Sequence, residues 1–155
     1  MHLHQSGGLH LLPLIGNISL TPIVRAELRN HSPSLWPQAL PQWANLKPLS
    51  SIAQKRALAW QHAGILHGGE AEALALAEEL KPDWFLTDDA AARLMAESLA
   101  IETHGSIGVV LWAAANKLLG REEAETRMRA LEQSSLWMSP KVRAAARAAL
   151  VKIFA

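Results

Sequence analysis

Residues 68–89 read GGEAEALALAEELKPDWFLTDD, and the order of helix, turn, strand and acids within them sets the expected fold. Glu70 stands three, four and seven residues before Ala73, Leu74 and Ala77. On a helix this spacing puts it on the side those apolar residues turn inward, while Glu78 and Glu79 project elsewhere. Pro82 and Asp83 end the helix after Lys81. Trp84, Phe85 and Leu86 then make a short apolar run of the kind found in a covered parallel strand. Thr87, Asp88 and Asp89 follow at its carboxyl end. Open α/β sheets bind ligands in the crevice beyond that end of their strands, so these acids stand where chemistry is expected. The same residues also suit a structural role. An acid in a first turn favours the helix dipole, and Thr87 or Asp88 is a good N-cap for the Ala-rich helix that follows.

Working back towards the start, residues 18–21 read as a short strand, with Thr21 as N-cap and Pro22 at the first position of a helix PIVRAELRN. Glu27 falls four residues after Ile23 and three after Val24, on the expected inward face, with Arg25 and Arg29 on another. A carboxylate so placed needs a cation, because burying it alone costs several kcal/mol or shifts its pKa. A metal would serve, and so would an arginine such as Arg93. Residues 31–48 hold Pro33, Pro37, Pro41 and Pro48 beside Trp36 and Trp43. They predict an irregular excursion with a short edge strand near Leu46, its tryptophans covering the core rather than stacking on bases. Residues 50–62 predict a helix with Ile52, Leu58 and Ala59 on its buried side, and residues 64–69 the turn into Glu70. Residues 1–17, broken by Gly7, Gly8, Pro13 and Gly16, read as the tail of a helix and a turn. His2 and His4 there are expected to be solvated rather than metal-bound.

Forward of Asp89, AAARLMAESLA predicts a helix, residues 101–104 a strand, and Gly105 the opening of another helix. Repeated strand and helix units point to a mainly parallel sheet covered on both faces. Residues 121–133 form a charged amphipathic helix with Glu125 and Arg129 spaced to pair. Ser139 and Pro140 open a last helix whose Lys141, Arg143 and Arg147 make it the most basic in the chain. That face suits RNA phosphates or plain solvent.

The 155 residues, half of them hydrophobic, are enough for one domain with its own core. A formal net charge of +1 disfavours a protein that wraps nucleic acid by bulk charge. The absence of cysteine excludes disulfides, thiolate zinc sites and a cysteine nucleophile. No GxGxxG, Walker or HExxH motif occurs, which removes the primary evidence for dinucleotide, NTP and zincin functions. With no apolar run long enough to span a bilayer and no signal-peptide pattern at the start, the cytoplasm is the expected compartment.

A helix carrying AEL with Glu27, the sequence GGEAEALALA, the sequence FLTDDAAAR, a strand running into HGSIGVVL and a terminal WMSPK helix together resemble the PIN-domain nucleases, in particular their VapC-like, toxin-related branch. The resemblance runs over nearly the whole chain from Ile18 onward, and GEAEA followed by TDD at this spacing is its most specific part. It implies a single domain over residues 1–155, a three-layer α/β/α sandwich with a mainly parallel, Rossmann-like sheet, and RNA hydrolysis dependent on Mg2+ or Mn2+. Matched by motif, Glu27, Glu70, Asp89 and Asp88 become the catalytic and metal-binding acids, with Glu72 as a further metal ligand. An antitoxin protein and a homodimer are partners implied in the same way. In one respect the chain departs from the pattern: family members open with a strand ending in aspartate, and here no aspartate precedes Asp83. That leads to the expectation of an absent first strand, an incomplete sheet with a paired or covered edge, and weakened metal binding. The alternative is an impaired PIN-like module that binds an antitoxin or RNA. Carboxylates suit magnesium in any case, a hard cation taking oxygen ligands, whereas the scattered histidines would suit zinc.

Overall fold

The computed structural model describes residues 2–31 and 40–155. In chain order its first elements are α1 (His2–Gln5), a 3-10 turn (Leu9–Leu11), α2 (Leu12–Ile15), β1 (Ile18–Leu20) and α3 (Pro22–His31). Next come β2 (Ala44–Leu46), α4 (Ser51–His62), α5 (Gly68–Leu80), β3 (Phe85–Leu86) and α6 (Ala90–Ser98). The chain finishes with β4 (Thr103–His104), α7 (Ser106–Ala115), α8 (Arg121–Gln133) and α9 (Pro140–Ile153). This is an α/β fold, mostly helical, with parallel strands. Of the excursion expected over residues 31–48, the part holding Pro33, Trp36 and Pro37 lies outside the described residues.

Local chemistry decides where the helices start. Thr21, fully buried, accepts a hydrogen bond from the Val24 N–H at 3.3 Å, and Pro22 has no N–H to leave unpaired. Ser50 caps α4 through the Ala53 N–H at 3.2 Å, and Ser139 caps α9 through the Val142 N–H at 3.2 Å. Helix α5 ends at Lys81, held in the left-handed conformation with φ 48°, and its N–H donates to the Ala77 carbonyl at 2.9 Å.

The described residues fall into two compact units, one of residues 16–103 and the other of Met1–Ile15 with His104–Ala155. In the first, α5 is buried nearly all round: Ala71, Leu74, Ala75, Leu76 and Ala77 are all core, and α3, α4 and α6 pack on it. Phe85 of β3 joins the same core, beside Leu66 and alanines of α4 and α6. Strands β1 and β2 pair in parallel, with Ile18 opposite Ala44 and Leu20 opposite Leu46. Parallel partners need a crossover, and α3 lies within it. β3 and β4 form a second two-stranded sheet.

Two expectations about buried faces are corrected. On α4 the buried residues are Ala53 and Ala57, while Ile52 is 75% exposed and Leu58 and Ala59 are exposed as well. Helices α4 and α5 meet through alanines on both sides, and small side chains allow a close approach that larger ones would prevent. On α3, Ile23 is exposed and no residue is fully buried, so this helix lies on the surface of its unit rather than inside it.

The second unit packs α7 on α8 and α9, and α1 on α8. Val109, Val110, Leu131 and Met128 fill its core. Arg127 on α8 donates to the Ser6 carbonyl at 3.1 Å, just past the end of α1, and to Glu123 at 3.2 Å. Arg147 on α9 pairs with Glu132 on α8, its Nε donating at 2.9 Å. Among the described residues no helix is long and apolar enough to cross a membrane.

Candidate acid site at the start of α5

An α-helix leaves its first N–H groups without partners. At the start of α5 the N-cap residue His67 offers no side-chain hydrogen bond. An acceptor is brought instead from α3, whose Glu27 carboxylate packs against the backbone of Gly69. The approach is close enough that a Cβ placed on Gly69 would lie 2.7 Å from the Glu27 Cδ and 2.8 Å from its Oε1. As a residue Glu27 is exposed, but its carboxylate is packed against this backbone.

Loss of water around that carboxylate raises its pKa above the ordinary value, and the negative charges of Glu70 and Glu72 raise it further. The Gly69 N–H and nearby His31 pull the other way without cancelling the shift. His31 is held one turn on, its Nδ1 within 2.8 Å of the Glu27 carbonyl oxygen. Glu70 and Glu72 are two apart on α5 and so project to different sides. Glu27 stands at the end of the helix, where it senses both.

Asp89 sits at the start of α6 with a different task. Its Oδ1 accepts the Ala92 N–H at 2.7 Å, its own N–H donates to Thr87 Oγ1 at 3.1 Å, and Arg93 donates to the Thr87 carbonyl at 3.1 Å. Asp88 is half-buried in the same turn. Among the described residues no three acidic or histidine side chains come together as a group able to hold a metal ion. The structure thus brings Glu27 within electrostatic reach of Glu70 and Glu72, and uses Asp89 as the cap of α6. All the donors are carboxylate oxygens. They fit a magnesium-like ion held by one or two carboxylates with water completing the shell, and do not form a closed cage. An open groove of about 570 Å³ lies elsewhere, at the start of α8, lined by Arg121, Glu122, Glu123 and Arg127. Its charges are mixed and it contains none of these five acids, so acid placement rather than concavity locates the site.

Gly69 escapes a search for acids, although a signal was present. Two glycines in the first turn of a helix are costly, and glycine inside an element often marks a close approach to the backbone.

The fold is α/β with parallel strands, and Glu27 comes near the acids at the start of its central helix. The sequence profile of the PIN-domain family matches residues 1–151, and the chain belongs to that family. No curated protein and no solved structure matches it. PIN domains have a nuclease-like fold associated with nucleic acids and are in general dependent on divalent metals.

Proposed function

We propose that the chain is a VapC-like, divalent-metal-dependent ribonuclease, a single PIN-like domain over residues 1–155 that hydrolyses RNA phosphodiesters in the cytoplasm. The observation that carries this reading is the approach of Glu27 to Glu70 at the start of α5 in a chain of the PIN family. A carboxylate whose ionisation is opposed by the charge of a neighbouring one, as Glu27's is by Glu70, is favoured by a cation nearby. Glu27 and Glu70 would hold Mg2+ or Mn2+, with Glu72 adding negative charge nearby and Asp88 a further oxygen donor at the strand end. Once bound, such an ion lowers the pKa of a water and neutralises charge building on the phosphodiester. The chain itself seats Glu27 against the backbone of Gly69 and presents Glu70 from the buried helix α5. By resemblance, an antitoxin and a second copy of the chain are proposed as partners.

A second reading, an impaired PIN-like module that binds an antitoxin or RNA without cutting it, is favoured by one observation. The Asp89 oxygen that the family would give to the metal accepts the Ala92 N–H. The two readings separate in one experiment, with the chain incubated with single-stranded RNA and Mg2+ or Mn2+, then with EDTA. The nuclease reading expects EDTA-sensitive cleavage that Glu70→Gln reduces by at least about a hundredfold, since it removes a direct ligand to the ion. RNA binding without cleavage at any metal concentration supports the module instead. Cleavage that survives both EDTA and Glu70→Gln would sink the metal mechanism.

A further inference from the structure

We infer that Gly69 is a positioning residue for Glu27: the bare backbone at this point lets a carboxylate from α3 serve as the N-cap of α5, and so fixes where the first acid of the site stands. The purpose assigned to this positioning rests on the metal-dependent reading above; the contact itself does not. Three observations carry the inference. The residue that should cap α5, His67, makes no side-chain cap hydrogen bond. The Glu27 carboxylate of α3 lies against the backbone of Gly69, its Cδ and Oε1 2.7 and 2.8 Å from where a Cβ there would stand. A side chain at 69 would displace Glu27, because its first carbon would lie 2.7 Å from Cδ and the carboxylate, at the end of a flexible side chain, would have to move off the start of α5.

The neighbouring glycine makes the comparison. A Cβ on Gly68 would meet only Gln61 Oε1 at 3.8 Å and Ile23 Cγ2 at 4.0 Å, which are ordinary contacts. Both glycines lie in the first turn of the same helix, where alanine is intrinsically preferred. Helix propensity alone therefore predicts that Gly68→Ala and Gly69→Ala behave alike. Positioning predicts that they do not. The same geometry links α3 to α5 through a single charged cap, favourable at a helix N-terminus because of the dipole.

The experiment is thermal denaturation of the full chain carrying Gly68→Ala, Gly69→Ala, Glu27→Ala, or Gly69→Ala with Glu27→Ala, combined with Mn2+ titration followed by electron paramagnetic resonance. Gly68→Ala should leave the midpoint unchanged or raised. Gly69→Ala should lower it while Glu27 is present and raise it once Glu27 is alanine, a reversal of sign that a purely local effect of glycine would not give. Mn2+ affinity should fall about tenfold or more in Gly69→Ala, in the range seen when groups that orient a ligand are lost, and Gly68→Ala should bind as the native chain does. A midpoint raised by Gly69→Ala with Glu27 in place overturns the inference. So does unchanged Mn2+ affinity in Gly69→Ala when the native chain binds the ion. If the native chain binds no Mn2+, the metal reading falls, while the sign reversal still decides the role of Gly69.

Discussion

Glu27 meets two opposing demands, since α5 needs its negative charge while Glu70, Glu72 and partial loss of water resist it. The resisting influences prevail, so the folded chain holds this proton at pH values where the unfolded chain, near the ordinary 4.5, has released it. Stability from this group is then complete below 4.5 and declines as pH rises through the raised folded value. Glu27→Gln keeps an oxygen for the Gly69 N–H and removes the charge. Its melting temperature relative to the native chain should therefore climb between about pH 4 and pH 7 in metal-free buffer, in the direction proton linkage requires. A difference that stays flat across that range would show that Glu27 ionises unhindered. At this scale the sequence revealed the acids but not their relation. Helical spacing puts Glu27 and Glu70 on definite faces, yet only the packing of α3 against α5 brings one carboxylate over the backbone of Gly69. The relation joins positions more than forty residues apart, which no local periodicity records.

Among the elements, α6 separates the roles of Asp89. As an N-cap its side chain needs an acceptor oxygen, which asparagine also supplies; as a metal ligand it needs charge. Asp89→Ala should cost about 1 kcal/mol of stability in chemical denaturation, the usual effect of losing a cap, and Asp89→Asn much less. If Asp89→Asn leaves stability intact and still weakens Mn2+ binding, the carboxylate serves both ends. If binding is unaltered, Asp89 is a cap alone. The starts of α3 and α9 were readable because Thr21 and Ser139 declare themselves chemically, each accepting the N–H three residues on. Helix α6, in contrast, is capped by Asp89 and not by the expected Thr87 or Asp88, since it is the Asp89 carboxylate that reaches the Ala92 N–H. The buried side of α4 was not readable either. Hydrophobic periodicity weights Ile52 and Leu58 heavily, whereas close contact with α5 selects the weakly hydrophobic Ala53 and Ala57. An alanine interface leaves little trace in a hydrophobic pattern, because its signal is smallness.

Taken as a whole, the chain builds its two units differently. The unit with the acids comes from one continuous stretch, residues 16–103, whereas the other joins the first fifteen residues to His104–Ala155. Arg127 is a fastening within the second, donating across 121 positions to the Ser6 carbonyl. Arg127→Ala should free that carbonyl and speed hydrogen exchange at the amides of residues 6–8, which bond back onto α1, while the amides of α5 keep their protection. Equal loss of protection in both would mean that the units open together. Because a chain is made from its amino end, the first fifteen residues must wait for more than a hundred others before Arg127 exists. The stretch holding Glu27, Gly69 and Glu70 is complete well before then. On the ribosome the acid site therefore has its parts, and α5 its cap, while the flanking unit is still half unmade.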